Sequence, residues 1–169
     1  MIEVEVKVRV GDPERFMRNL KKAGAEFLKE VSQRDVYLKH PCRDFHQSDE
    51  ALRIREAEGR FLLTYKGPKV GGVGKSRVEV ETEVGEGIAE VLRKVGFEVA
   101  GVVEKVRRVY RLGKVTVCLD RVEGLGWFAE AEVRAGEPSQ EEELLRLLRS
   151  MGGGESVRLS YLELLMGTL

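Results

Sequence analysis

The segment Met1-Ile2-Glu3-Val4-Glu5-Val6-Lys7 alternates apolar and charged side chains. Successive side chains of a β-strand point to opposite faces, so Glu3, Glu5 and Lys7 share one face, about 6.5 to 7 Å apart along it. Two carboxylates and an ammonium in one row suit a hard cation and a phosphate. A single strand of this kind also fits an ordinary solvated face, so the rest of the chain has to decide between the two.

The composition indicates a globular protein without a strong charge bias. The 169 residues, 42% of them hydrophobic, are enough for a single domain over 1–169 with a real core. The 29 Lys and Arg residues balance 29 Asp and Glu residues, which argues against a nucleic-acid partner. No apolar run nears the roughly 20 residues that cross a bilayer, and the start lacks a signal-peptide pattern. We therefore expect a cytoplasmic protein with no membrane partner. Its two cysteines, Cys42 and Cys118, are expected to be reduced thiols that bind no metal.

Glycine and proline residues divide the chain into eight predicted strands and four predicted helices. Asp12-Pro13 is typical of a helix start, Gly59 predicts a tight hairpin, and Gly152-Gly153-Gly154 interrupts the C-terminal helices. The predicted strands are 2–10, 26–38, 50–57, 60–67, 75–84, 97–112, 115–122 and 127–134. The predicted helices are 13–23, 87–95, 138–150 and 157–167.

The two halves of the chain resemble each other. The first half contains Glu3-Val4-Glu5, a predicted helix and then Leu20–Glu26. Some 72 to 76 residues later the same order recurs as Glu79-Val80-Glu81, a predicted helix and Leu92–Glu98. Each half has the order β-α-β-β-β. Eight strands of this kind close into a barrel with a narrow interior. We therefore predict an α+β fold, an eight-stranded and mainly antiparallel closed β-barrel with its helices packed outside.

Charged residues alternate along nearly every predicted strand. Either they face water around an apolar interior, or they line a tunnel whose apolar outer wall is covered by helices. We favour the tunnel, because the amphipathic helices need an apolar surface on which to pack. The alternating set comprises Glu3, Glu5, Lys7, Arg9, Arg53, Arg55, Lys66, Arg77, Glu79, Glu81, Lys105, Arg107, Asp120, Glu130, Glu132 and Arg134.

A tunnel lined by these charges predicts a ligand. Buried charges of both signs are unfavourable unless they are paired or complexed. Carboxylates without sulfur or imidazole partners suit Mg²⁺ or Mn²⁺, which are commonly shared with substrate phosphates. Arginine and lysine suit a polyphosphate. The residues together predict a metal-bound triphosphate.

The opening motif resembles the E-x-E-x-K signature of the CYTH, or triphosphate tunnel metalloenzyme, superfamily. The likeness runs along the whole chain and is strongest to the class IV adenylyl cyclase branch. It implies an eight-stranded tunnel, dependence on Mg²⁺ or Mn²⁺, and a nucleotide or other triphosphate as the substrate. The stretches that carry it include Gln33-Arg34-Asp35-Val36-Tyr37, His40-Pro41-Cys42-Arg43-Asp44-Phe45, Asp49-Glu50-Ala51-Leu52-Arg53-Ile54-Arg55, Thr64-Tyr65-Lys66-Gly67-Pro68 and Ser160-Tyr161-Leu162-Glu163-Leu164-Leu165.

The resemblance also implies roles for individual residues, and the alternation selects the same positions. The metal ligands would be Glu3, Glu5, Asp120, Glu130 and Glu132. The residues that grip the phosphates and assist catalysis would be Lys7, Arg53, Arg55 and Lys66. The wider substrate-binding set adds Arg77, Lys105 and Arg107.

The expected mechanism is electrostatic and metal-assisted. A cyclase converts ATP to 3′,5′-cyclic AMP and pyrophosphate, and this reaction is favoured by the resemblance. A triphosphatase uses the same tunnel to hydrolyse thiamine, nucleoside or inorganic triphosphate. A non-catalytic polyphosphate binder is the third alternative, and the presence of all the expected carboxylates disfavours it.

Three further features are interpreted from the residues. The loop Gly67–Ser76 is a candidate lid over the tunnel mouth. His40 and His46 are interpreted as loop residues, not general bases. The last helix has an apolar stripe that suits packing against the barrel better than a homodimer interface, formed by Leu159, Leu162, Leu165 and Met166.

Overall fold

The computed structural model describes residues 2–134 and 137–167. The strands are β1 Ile2–Arg9, β2 Glu26–Lys39, β3 Ala51–Ala57, β4 Arg60–Lys66, β5 Lys75–Val84, β6 Glu98–Leu112, β7 Val115–Val122 and β8 Gly126–Arg134. The helices are α1 Pro13–Lys22, α2 Phe45–Ser48, α3 Ile88–Lys94, α4 Glu141–Ser150 and α5 Tyr161–Met166. A 3-10 turn, Pro138–Gln140, precedes α4.

The eight strands form one closed antiparallel barrel in the order β1-β5-β4-β3-β2-β6-β7-β8. Each half of the chain contributes a strand, a helix and three strands, followed by the C-terminal helices. The predicted eight-stranded α+β barrel built from two β-α-β-β-β halves is therefore confirmed. Because β1 pairs with both β5 and β8, the first strand closes the barrel.

Capping residues explain where the helices differ from the sequence prediction. Asp44 accepts the backbone N–H of His46 at 2.9 Å and starts the four-residue helix α2, which the sequence did not predict. Ser160 and Glu163 form a capping box, so α5 begins at Tyr161 and not at residue 157. The preceding residues continue along β1, where the N–H of Val157 donates to the carbonyl oxygen of Lys7 at 2.8 Å.

The main apolar core lies outside the barrel, between one half of its wall and two helices. Val4, Val6 and Val8 point outward from β1 and are at most 1% exposed, because Phe16 and Leu20 of α1 and the leucines of α4 pack in the same cluster. The opposite half of the barrel wall is less covered by helices. There α3 contributes no buried residue, and Val78 and Val80 of β5 stay exposed.

Strand register turns the charged faces inward. Glu3 lies opposite Arg77 of β5 and Arg134 of β8, and Lys7 lies opposite Glu130. The buried charged residues include Glu3, Glu5, Lys7, Asp35, Arg53, Arg77, Glu79, Lys105, Asp120 and Glu130. The charged face thus lines the interior, as predicted. Among the described residues, no helix combines the length and the apolar character needed to cross a bilayer.

Candidate active site

The barrel interior is a cavity of about 790 Å³, lined by residues of seven strands and of α5. A volume of this size is in the range of small-molecule binding sites. Its wall has an acidic side, mainly from β1 and β8, and a basic side, mainly from β3 and β6.

Three carboxylates, Glu3, Glu5 and Glu132, converge on the acidic side, and we call them the carboxylate cluster. One oxygen of each lies within 4.8 Å of the others. Glu3 and Glu5 alternate along β1, and the register with β8 places Glu132 directly opposite Glu5. Burial, Glu3 and Glu5 together raise the pKa of Glu132 to about 7. Three carboxylate ligands that repel one another fit Mg²⁺ or Mn²⁺, because either cation would neutralise their negative charge.

Asp120 and Glu130, the other two predicted metal ligands, lie outside this cluster and bind Arg107. The guanidinium of Arg107 donates from Nε to Asp120 Oδ1 at 2.7 Å and from Nη2 to Asp120 Oδ2 at 2.6 Å. Its Nη2 also contacts Glu130 Oε2 at 2.8 Å. The hydroxyl of Tyr161 donates to Asp120 Oδ2 at 2.7 Å, which ties the start of α5 to the tunnel. In this conformation Asp120 therefore orders Arg107 and Tyr161.

On the basic side, Asp35 holds two of the predicted phosphate-binding residues. Arg55 donates to both its oxygens, at 2.7 and 2.8 Å, and Lys105 donates at 3.1 Å. Burial alone would raise the pKa of Asp35, but Lys105 and Arg55 bring that pKa well below its usual value. Burial and Arg55 lower the pKa of Lys105 to about 8, although Asp35 opposes them.

Arg53 has a donor without a partner. Its Nη2 donates to Thr64 Oγ1 at 3.2 Å and lies 3.6 Å from Glu81, whereas its buried Nε has no hydrogen-bond partner within the described parts of the chain. Buried polar groups are nearly always satisfied, so an orphan guanidinium N–H at a cavity wall indicates an anion site.

The remaining predicted phosphate-binding residues either lie between the acidic and basic sides or bind loops at the rim of the barrel. Lys66 lies 3.1 Å from Glu3 and 3.2 Å from Glu79, where the acidic and basic sides meet. The Lys7 ammonium donates to the carbonyl oxygen of Leu159 at 2.9 Å and lies over the Tyr161 ring. Arg77, in contrast, donates to the backbone carbonyls of Gly67 and Asp49, at 2.6 and 3.2 Å. It therefore fixes two rim loops.

Residues 67–74, which we call the glycine loop, are fastened to the outside of the barrel. Glu141 of α4 is buried and accepts the N–H groups of Gly72 and Gly74 at 3.0 and 3.2 Å. Arg158 donates to the carbonyls of Gly74 and Gly71 at 2.8 and 2.9 Å. These bonds make the loop a brace along β1. The lid role suggested by the sequence stays a prediction.

His40 lies at the cavity wall, and three other residues have contacts that the sequence did not predict. His40 accepts the backbone N–H groups of Cys42 and Arg43 at 3.0 and 2.9 Å, so its ring stabilises a loop. Sequence reasoning did not assign Asp35, Glu141 or Tyr161 a role. Asp35 alone had a local signal, because it alternates with Gln33 and Tyr37 along β2.

Comparisons with known proteins agree with this geometry. The family model described as "CYTH domain" matches residues 1–158. "Putative adenylate cyclase MJ0240" of Methanocaldococcus jannaschii is 37% identical over 172 residues, which cover 97% of this chain and 98% of that protein. "Adenylate cyclase CyaB" of Aeromonas hydrophila is 28% identical over 158 residues, covering 89% of this chain and 80% of that protein.

Solved structures share the fold. The PH1819 protein of Pyrococcus horikoshii superimposes with a TM-score of 0.88 at 38% identity, and the match covers 99% of both chains. The family match spans the whole barrel and includes every residue of the carboxylate cluster. The chain belongs to the CYTH domain family.

Proposed function

We propose that the protein is a metal-dependent enzyme that converts ATP to 3′,5′-cyclic AMP and pyrophosphate, as a class IV adenylyl cyclase does. The observation that carries the proposal is the pairing, in one cavity, of the carboxylate cluster with a basic wall that contains an unsatisfied Arg53 N–H. A cation site beside an anion site of this kind suits a metal-bound triphosphate. The names of the Methanocaldococcus and Aeromonas relatives support a cyclase reaction.

The chain's own residues bind and orient the triphosphate. Arg53 offers its free Nε, and Arg55 and Lys105 converge beside it to bind phosphate oxygens. Lys66 adds positive charge beside the carboxylate cluster and Lys7 adds it beside Glu130, where charge on the leaving pyrophosphate needs neutralising. Glu3, Glu5 and Glu132 would hold Mg²⁺ or Mn²⁺, which supplies Lewis-acid activation when bound.

In the proposed reaction the attacking group belongs to the substrate itself. In the cyclase reaction the ribose 3′-hydroxyl attacks the α-phosphorus and pyrophosphate leaves. The catalytic residues proposed for this step are Lys7, Arg53, Arg55 and Lys66.

The test is product analysis with three substrates. Purified protein is incubated with ATP, inorganic triphosphate or thiamine triphosphate, each with Mg²⁺ or Mn²⁺, and the products are separated by chromatography. Cyclic AMP with pyrophosphate is the expected result. Orthophosphate with a diphosphate would instead make the protein a triphosphatase, and metal-dependent binding without turnover would make it a binder.

Two variants separate the metal site from the rest of the fold. Glu5→Gln removes a carboxylate of the cluster while keeping its shape, so turnover should be abolished although the protein still folds. Glu104→Gln is the matched control, because the Glu104 side chain is exposed on the outer wall, where it lies 3.5 Å from Arg34. Normal turnover by Glu5→Gln would remove the metal assignment.

A further inference from the structure

We propose that Asp35 is a positioning residue that fixes Arg55 and Lys105 so that both bind the same phosphoryl group. The inference rests on the proposed function, because it assumes that the tunnel binds a triphosphate. Asp35 lies on the basic side and outside the carboxylate cluster, and it binds cations of two different strands, Arg55 of β3 and Lys105 of β6.

The geometry around Asp35 is that of a built junction between three strands. Asp35 of β2 lies directly opposite Arg55 of β3, and its neighbour Gln33 lies opposite Lys105 of β6. The carboxylate has no solvent exposure and uses both oxygens: Oδ1 accepts from Arg55, and Oδ2 accepts from Arg55 and from Lys105. Two cations from separate strands are thus brought to one point.

The bonds to Asp35 leave most donors of both cations available. A guanidinium carries five N–H groups and an ammonium three. Asp35 accepts two from Arg55 and one from Lys105. Without a carboxylate between them, two buried cations would repel each other and separate. Asp35 therefore allows Arg55 and Lys105 to stay close while their remaining N–H groups bind phosphate.

Asp35 also determines whether Lys105 is charged. The groups that face the ammonium are Asp35 on β2, Arg55 on β3, Arg107 on β6, Asp120 on β7 and the ring of Tyr161 on α5. Burial, Arg55 and Arg107 lower the pKa of Lys105, whereas Asp35 and Asp120 raise it, and the balance is about 8. Losing the carboxylate at 3.1 Å would lower this pKa further, so that a smaller fraction of Lys105 would be charged at pH 7.5.

The test compares wild type with Asp35→Asn by calorimetry, using inorganic triphosphate and Mg²⁺ between pH 6 and 9. The expected result at pH 7.5 is a loss of affinity of about tenfold or more, the usual size for a lost charge-assisted contact. The pH above which affinity declines should also fall by about one unit or more. The loss of affinity relative to wild type at the same pH should become smaller at pH 6, where Lys105 regains its proton.

The opposite result is equally clear. If Asp35 only offset positive charge, its removal would strengthen the attraction of the tunnel for an anion. Asp35→Asn would then bind triphosphate as tightly as wild type, or more tightly. That outcome would overturn the proposal, because the loss of a positioning residue must weaken binding.

Controls keep the test decisive. Glu104→Gln removes an equal charge from the outer face of β6 and should bind like wild type. If Asp35→Asn does not fold, Asp35→Glu is used instead. This variant keeps the negative charge but moves the carboxylate by one methylene. It should therefore bind triphosphate more weakly than wild type, with the wild-type pH profile. Wild-type affinity in Asp35→Glu would refute positioning.

The assay also separates this proposal from the proposed function. It measures binding, so a wild-type protein that binds triphosphate without turning it over would contradict the enzyme assignment and leave the Asp35 comparison valid. A wild-type protein that does not bind triphosphate would overturn both.

Discussion

At neutral pH the Glu132 side chain is divided between its two protonation states. Burial, Glu3 and Glu5 raise its pKa to about 7, against an ordinary value of 4.5. The folded protein therefore keeps this proton up to about pH 7, whereas the unfolded chain releases it near pH 4.5. Stability from this group is complete below pH 4.5 and is lost as pH rises toward 7. A cation bound by the cluster would offset that loss by replacing the proton.

We predict that Mn²⁺ binding competes with protonation of Glu132. Below pH 7 the apparent affinity for Mn²⁺ should fall by up to about tenfold per pH unit, because one proton must leave before the cation binds. Glu132→Gln should weaken Mn²⁺ binding and flatten this dependence. Calorimetry in buffers of different ionisation enthalpy measures both effects.

An exposed carboxylate provides the control for this experiment. Glu83 pairs with Arg60 on the outside of the barrel, so Glu83→Gln should leave Mn²⁺ binding and its pH profile unchanged. Equal Mn²⁺ affinity of wild type and Glu132→Gln at every pH would place the cation elsewhere.

The individual residues show how far alternation alone can reach. It identified the face that carries the charges, because Glu3, Glu5 and Glu132 all follow the period of two. It could not separate Glu132 from Glu130, which alternates in the same way. That distinction depends on register: Glu132 lies opposite Glu5, whereas Glu130 lies opposite Lys7. Pairing between the first and last strands is not encoded in any local pattern.

Among the elements, the glycine loop packs so closely on β1 that one of its glycines has no room for a side chain. A Cβ at Gly74 would overlap the backbone carbonyl oxygen of Glu5 and approach a methyl group of Val6. A Cβ at Gly72 would meet nothing within 4 Å, and its φ lies outside the left-handed region. The two positions therefore form a matched pair.

We predict that Gly74→Ala is destabilising and impairs the metal site. Moving β1 away from the added methyl group should lower the free energy of unfolding by about 1 to 3 kcal/mol, the usual cost of overpacking. It should also weaken Mn²⁺ binding, because Glu5 belongs to the displaced strand. Denaturant unfolding and Mn²⁺ titration measure the two effects.

Gly72→Ala should match wild type in both measurements, since it keeps the backbone N–H that binds Glu141. If Gly72→Ala and Gly74→Ala behaved alike, the close approach to Glu5 would not matter.

The elements themselves could be predicted in kind, with errors at their ends. All eight strands were predicted, because turn residues separate them. Helix α2 was missed because four residues are too few for a periodic signal. The start of α5 was misplaced because the apolar stripe continues upstream, although the sequence contains the Ser160-x-x-Glu163 signal that ends the ambiguity.

At the scale of the molecule, the stabilising core and the charged cavity lie on opposite sides of the same barrel wall. Leu148 of α4 is fully buried outside β1, in the cluster that includes Val4, Val6 and Val8. The carboxylate cluster faces the other way, into the tunnel. Overall stability and ligand binding should therefore be separable.

We predict that Leu148→Ala lowers the free energy of unfolding by about 2 to 5 kcal/mol, because it leaves a cavity in a packed core. Mn²⁺ affinity of the folded protein should stay within about twofold of wild type. The control is Val91→Ala on α3, where Val91 is 57% exposed and the expected change is within about 0.5 kcal/mol. A parallel loss of Mn²⁺ affinity in Leu148→Ala would show that the outer core holds the cluster in place.

The barrel architecture was more predictable from the sequence than the packing of the helices on its outer surface. An internal repeat and eight alternating strands determine a closed barrel, and a charged interior requires an apolar exterior. Which part of that exterior is covered depends on how each helix packs. Helix α3 has the apolar residues Val91 and Val95, yet both are exposed. Periodicity cannot show that a helix leaves its apolar side to solvent.

The carboxylate cluster joins the first strand to the last, and this has a consequence for the order of events during synthesis. Glu3 and Glu5 leave the ribosome before Glu132, and the three carboxylates can meet only after β8 has been made. Contacts between such distant segments form late and slowly. A cation that needs all three carboxylates cannot assist the steps before closure. It would act only on the finished barrel, by slowing the rate at which the ring reopens.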